Sequence, residues 1–167
     1  MAECFIRGMR EEDLEQVAAI EKEIFCDPWS REGFEVSMHK PENLYLVVEE
    51  DGRIAAYCGL WGVAGEGQIC NVAVRENARG RGLAYAMLSE LLRLGRNAGL
   101  WAFTLEVRVS NEPAIRVYRR LGFADAGIRK RFYTKPEEDA LIMWLFCPES
   151  QAEDAVLQER EAGCGKK

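Results

Sequence analysis

The segment that most restricts the fold of this chain runs from Val72 to Tyr85: Val72-Ala73-Val74-Arg75-Glu76-Asn77-Ala78-Arg79-Gly80-Arg81-Gly82-Leu83-Ala84-Tyr85. A β-branched strand passes through a polar, glycine-containing turn straight into a helix. Gly80 and Gly82 lack a Cβ, so the turn can approach a ligand closely and aim successive backbone N–H groups at one point. The helix that follows adds its unpaired first-turn amides and the positive end of its dipole. Such an arrangement binds phosphate, and Arg79 and Arg81 add local positive charge. The turn is not specific on its own. The Lys-Ser/Thr of a P-loop is missing after Gly82, the glycines are not spaced GxGxxG, and a purely structural turn is the competing explanation.

The rest of the chain reads as alternating helices and strands around that junction. A short strand over Cys4 to Gly8 precedes a helix that carries Leu14, Val17, Ala18 and Ile24 at helical spacing, with Glu11, Glu12 and Asp13 at its N-terminus. Asp27-Pro28 ends it, and Ser30 caps a shorter helix that holds Phe34 and Met38 and stops before Pro41. Leu44 to Val48 and Ile54 to Cys58 flank Asp51-Gly52, a hairpin signal. A third strand, Gln68 to Arg75, leads into the glycine turn. The helix beyond it sets Ala84, Met87, Leu88, Leu91, Gly95 and Ala98 on one face and ends near Gly99. Phe103, Leu105, Val107 and Val109 then alternate with Thr104, Glu106 and Arg108, a strand with two distinct faces.

Asn111 caps a last helix, with Pro113 in its first turn and Leu121-Gly122 at its end. Two closing strands, Ala124 to Tyr133 and Ala140 to Cys147, are expected to pair across the polar turn 135–139. Hairpins on both sides of the central junction argue against a repeating parallel βαβ fold. The expectation is an α/β domain with a mixed, mostly antiparallel central sheet flanked by helices. It spans residues 1–149, and 150–167 form a polar tail, frayed or disordered.

Composition narrows the function classes. A chain of 167 residues suits one domain with a substantial core, and no window approaches the roughly 18 apolar residues of a membrane helix. The N-terminus lacks the basic start and apolar run of a secretion signal, so a cytoplasmic location is expected. A net charge of −6 argues against a general nucleic-acid binder and suits a basic polypeptide or amine partner, although mild acidity also simply favours solubility. The six cysteines form no CxxC pair and read as buried free thiols. With His39 the single histidine, a zinc site or a His-based triad has little material, and His39 itself reads as a surface residue near the end of a short helix.

Arg79-Gly80-Arg81-Gly82-Leu83-Ala84 resembles the Q/R-x-x-G-x-G/A signature of the GCN5-related N-acetyltransferases, at the strand-to-helix junction where that family carries it. The resemblance extends to about Cys147. Asp27-Pro28-Trp29-Ser30, Asn71-Val72-Ala73-Val74, Leu105-Glu106-Val107-Arg108, Ser110-Asn111, Tyr118, Leu121-Gly122-Phe123 and Arg131-Phe132-Tyr133 are similar to the branch that acetylates N-terminal alanine of ribosomal proteins. Ala84 stands where many members have glycine.

The resemblance implies the acyl-CoA N-acyltransferase fold, acetyl-CoA as co-substrate, no metal, and a basic ribosomal protein N-terminus as acceptor. It implies pyrophosphate contacts from Gly80, Arg81, Gly82, Leu83, Ala84 and Tyr85, and cofactor-arm contacts from Val72, Ala73, Val74 and Asn111. Glu106 would serve as general base and Tyr118 as general acid. Trp29 and Tyr133 would line the acceptor groove. Each has a plainer alternative: a salt bridge between Glu106 and Arg108 or another cation, core packing for Tyr118, helix capping for Asn111, surface packing for Trp29 and Tyr133. Other open alternatives are a different protein N-terminus or a small-molecule amine as acceptor, and a catalytically silent acetyl-CoA-binding module.

Overall fold

A computed structural model describes residues 4–148, so the tail 150–167 and Cys164 lie outside the described residues. In chain order the elements are β1 (Cys4–Gly8), α1 (Leu14–Ile24), α2 (Arg31–Met38), β2 (Asn43–Glu50), β3 (Arg53–Val63), β4 (Glu66–Val74), α3 (Leu83–Asn97), β5 (Ala102–Arg108), α4 (Glu112–Arg120), β6 (Ala124–Thr134) and β7 (Glu137–Phe146). They form one seven-stranded sheet in the order β1-β2-β3-β4-β5-β7-β6. Neighbouring strands are antiparallel except β4 and β5, and a parallel pair needs a crossover, which α3 supplies.

Period-2 alternation sends side chains to two cores, one on each face of the sheet. Leu46, Val48, Cys58 and Leu60 pack with Met87, Leu88, Leu91 and Leu92 of α3. Tyr45, Val47, Tyr57 and Ala73 pack with Leu14, Val17 and Ile20 of α1 and Phe34 of α2. The buried stripe of α3 is Met87, Leu88, Leu91, Leu92 and Gly95, while Ala98 faces solvent. Gly95 lets the helix lie against β5, since a Cβ there would come within 2.7 Å of the Phe103 ring. Ser30 caps α2 by accepting the Gly33 N–H at 3.0 Å.

Besides Ala98, expected on the buried face of α3, the structure departs from the sequence expectations at three points. β3 and β4 run on to meet in a hairpin at Ala64-Gly65, because glycine-rich Trp61-Gly62-Val63 and Glu66-Gly67-Gln68 pair despite weak strand signals. Glu137, Glu138 and Asp139 belong to β7 and not to a loop, with Tyr133 opposite Glu138 and Thr134 opposite Glu137; their polarity is that of an exposed hairpin end. Of the thiols, Cys58 is buried and Cys70 and Cys147 are half-buried. Cys4 and Cys26 are exposed, because one opens the edge strand β1 and the other lies in the loop after α1.

Candidate active site

The site begins where the sheet comes apart. β4 and β5 pair only at Glu66–Ala102, Gly67–Phe103 and Gln68–Thr104. Beyond that they diverge, and β4 carries a bulge there: Gly59 opposes Asn71 and Leu60 opposes Ile69, leaving Cys70 as the extra residue. A bulge bends its strand and increases local twist, which suits a strand that must leave its neighbour. The parting opens the middle of the sheet and leaves the facing backbone edges of Val72–Val74 and Leu105–Val107 without a strand between them.

Two cavities occupy the opening. One, of about 370 Å³, is lined by Glu21, Trp29, Cys70, Asn71, Glu106 and Tyr133 among others. The other, of about 640 Å³, is lined by Val72–Val74, the turn and helix residues Arg79, Gly80, Gly82, Leu83, Ala84 and Tyr85, and the α4 face from Pro113 to Arg120. Phe25, Val72, Asn111 and Tyr118 line both. Sites that the chain separates by dozens of residues thus share one wall.

The larger cavity is built mostly from backbone. Gly80 and Gly82 hold φ of +75° and +76°, a left-handed conformation that costs other residues strain, and a Cβ on either would meet nothing within 4 Å. Gly82 is the N-cap of α3, and the first helical bond runs from the Ala86 N–H to the Gly82 carbonyl. The amides of Leu83, Ala84 and Tyr85 therefore have no intrahelical acceptor and face outward with the dipole. Arg81, expected among the cofactor contacts, does not line this cavity: its guanidinium forms a bidentate pair with Glu50 and it borders a separate cavity with Gln16 and Arg53. Arg79, Arg116 and Arg120 line the rim, and Arg120 lies 4.1 Å over the Tyr85 ring. Unpaired amides and clustered guanidinium groups fit a phosphorylated ligand. Asn111 caps α4 by accepting the Ala114 N–H at 3.4 Å while lining both cavities.

The smaller cavity is built from side chains. Glu106 is largely buried, and its carboxylate accepts from Arg129 Nη1 at 3.2 Å and Gln68 Nε2 at 3.4 Å. The cation beside it is thus Arg129. Arg108 turns away to Glu138 and to the Lys135 and Pro136 carbonyls, and its guanidinium lies 4.2 Å over the Tyr133 ring. Tyr118 is 7% exposed and packs edge-on against Phe123 at 6.0 Å, so it belongs to the core and to both cavity walls at once. Burial pushes its phenol well above the ordinary value of 10, helped by Tyr133. The Tyr133 phenol is itself pushed up to about 12 by burial, with Arg108 opposing the rise.

Trp29 is fixed from three directions. Its ring lies 5.4 Å from Phe34 and 5.5 Å from Trp61, and its backbone N–H donates to Glu21 Oε1 at 3.1 Å. Glu21, at 2% exposure, also accepts from the Tyr57 hydroxyl, and burial pushes its carboxyl up to about 7 against the pull of the Trp29 amide. Burial likewise raises the Cys70 thiol to about 12, so it stays protonated and unreactive near neutrality. Asn71 Oδ1 is buried with no hydrogen-bond partner, which ordinarily costs about 1–3 kcal/mol.

The structure thus brings Trp29, Glu106, Tyr118 and Tyr133 to one cavity, and Val72 to Val74, the glycine turn and Asn111 to its neighbour. Sequence reasoning missed Glu21, Gln68, Asn71, Arg116, Arg120 and Arg129. The strand after Gln68 and the basic run on α4 were visible, but nothing local said which side chains would meet. His39 lies apart, exposed at the end of α2, where the Glu35 carbonyl and then Glu11 raise its pKa. Among the described residues no helix is long and apolar enough to cross a membrane, and no three His, Cys, Asp or Glu side chains cluster to hold a metal ion.

The sheet thus parts between β4 and β5, with a glycine turn on one side of the gap and the half-buried Glu106 carboxylate on the other. The sequence profile of the acetyltransferase (GNAT) family matches residues 14–123, and the chain belongs to that family. A Bacillus subtilis protein provisionally named a [ribosomal protein bS18]-alanine N-acetyltransferase is 40% identical over 141 residues, covering 84% of this chain and 93% of the relative. The crystal structure of the ribosomal-protein-S18-alanine N-acetyltransferase from Escherichia coli superposes with a TM-score of 0.79 at 32% identity, covering 86% of this chain and 94% of that one. Arabidopsis thaliana NAA60, solved in complex with acetyl-CoA, shares the fold with a TM-score of 0.78 at 20% identity, covering 86% of this chain and 98% of that one.

Proposed function

We propose that this chain transfers an acetyl group from acetyl-CoA to the α-amine of an alanine-starting ribosomal protein. The observation that carries the reading is the shared wall of the two cavities: an anion-binding turn opens one, a carboxylate lines the other, and Tyr118 borders both. The turn amides and the guanidinium rim suit the pyrophosphate. The open backbone edge at Val72–Val74 suits the amides of the pantetheine arm and a thioester carbonyl in which negative charge develops. When bound, the coenzyme supplies an activated acetyl group and a thiolate leaving group.

Glu106 takes one proton from the acceptor ammonium, directly or through a water molecule, and frees the nitrogen lone pair. The N–C bond then forms, a second proton leaves that nitrogen for solvent, and the C–S bond breaks. An α-amine with a pKa near 8 gives up its proton far more readily than a lysine near 10.4, so a modest carboxylate base suffices. Tyr118 enters the step protonated, because burial raises its pKa. A thiol ordinarily titrates near 8.5, well below this phenol. Tyr118 therefore donates a hydrogen bond to the sulfur as charge gathers there, passes its proton to the thiolate only at the end, and regains one from solvent.

The test is incubation with acetyl-CoA and a synthetic peptide bearing the alanine-starting N-terminus of protein bS18, with mass spectrometry to locate the acetyl group. Acetylation of the α-nitrogen is expected, with Tyr118→Phe slower by about tenfold or more. Full activity on an N-terminally blocked peptide through an internal lysine would overturn the α-amine assignment. Acetyl-CoA binding in calorimetry without turnover on any amine would favour a silent binding module.

A further inference from the structure

We infer that Asn71 is a binding residue for the acceptor amine, its side-chain oxygen accepting a hydrogen bond from the acceptor nitrogen; the inference rests on the amine-acetylating function proposed above. Asn71 is 7% exposed, and its Oδ1 is the one buried side-chain N or O atom among the described residues that lacks a partner. Buried polar atoms are nearly always satisfied in folded proteins, and an orphan on a residue that lines a cavity is best explained by a donor that arrives with a ligand.

Two further observations say which ligand. Asn71 lines the cavity of Glu106, Glu21 and Trp29 and takes no part in the cavity of the glycine turn. It also stands two residues from Ala73, which packs under α1 and α2, so its side chain leaves β4 on that face, while Val72 and Val74 pack toward α3. The bulge at Cys70 sets this alternation. Ile69 and Val72 both pack toward α3 although they are an odd number of residues apart, which an unbulged strand would not allow. Continued past its last pair, Gln68 with Thr104, and allowing for the extra residue at Cys70, the parallel register of β4 and β5 brings Asn71 level with Glu106. Asn71 and Glu106 thus line the gap from opposite strands, on one face of the sheet.

An acceptor ammonium has three protons, of which Glu106 removes one before attack. Asn71 can hold another without competing for it, because an amide oxygen accepts hydrogen bonds but is not protonated near neutral pH. A carboxylate in its place would hold the proton too well. This difference separates amine recognition from a structural role.

Steady-state kinetics with acetyl-CoA and the alanine-starting bS18 peptide, together with thermal melting, test the inference. Asn71→Leu fills the same space and removes the orphan oxygen. It is expected to melt no lower than the parent protein, to raise the KM for peptide about tenfold, the scale of one charge-assisted hydrogen bond, and to leave the KM for acetyl-CoA unchanged. Asn71→Asp keeps an acceptor oxygen, so its peptide KM should stay near the parent value while kcat falls. An unchanged peptide KM in Asn71→Leu would overturn the inference, and so would a tenfold rise shared equally by acetyl-CoA. If the parent protein itself does not acetylate the peptide, the functional proposal fails first, whereas an active parent with unaffected variants sinks only the role of Asn71.

Discussion

Under the proposed function, the two halves of the gap solve recognition by different means. The donor half relies on main-chain groups: left-handed glycines, free amides at a helix start and an unpaired strand edge. The acceptor half relies on side chains gathered from α1, the loop after it, β4, β5 and the end of β6. A backbone site tolerates exchange of most side chains so long as the turn keeps its shape. A side-chain site can be retuned by single substitutions, which suits the half that must choose among amines.

Substitutions in either half should therefore separate cleanly. The largest effect is expected from Glu106→Gln, which should lower turnover by about 10²–10⁴-fold while calorimetry finds acetyl-CoA affinity intact. An unchanged rate would remove Glu106 as base and erase the asymmetry. Next is Glu21, whose carboxyl in the folded chain titrates near 7 because it is buried, above its ordinary 4.5. Between those values the folded form holds a proton that the unfolded chain has released, so stability is full below about 4.5, declines as pH rises to 7 and is level beyond. The loss is on the order of 3 kcal/mol. Glu21→Gln should flatten that decline in chemical denaturation across the same range; a parallel decline in both proteins would refute it.

In the donor half, Gly82→Val forces a β-branched residue to φ +76° and should weaken acetyl-CoA binding about tenfold with no change in peptide KM. The smallest effect is expected from Arg120→Gln, which removes one exposed guanidinium from the rim and its stacking on Tyr85. Acetyl-CoA affinity should fall only a few-fold and the difference should shrink at high salt, measured by titration at two ionic strengths.

The same contrast explains what could be read before folding. Main-chain sites depend on local geometry, and local geometry is written in neighbouring residues: two glycines, a helix start and a strand just before them. Capping by Ser30 and Asn111, the hairpin at Asp51-Gly52 and the alternation of β5 were legible for that reason. Glu21, Gln68, Asn71 and Arg129 carry no local signal. Their meaning comes from a bulge at Cys70 and a sheet that parts, both products of long-range pairing. The hairpin ends went the same way, since Gly62, Gly67 and the Glu137–Asp139 run are held in strands by their partners and not by their own propensity.

A sheet ordinarily exposes two edges, at its outermost strands. By letting β4 and β5 drift apart, this one acquires two more in its interior, and edge strands are where stray chains add on and aggregation starts. A molecule whose own amides run in extended form can bridge the cleft as a substitute strand. Such a donor is then a guard as well as a reagent, and the chain should be most prone to self-association when starved of it.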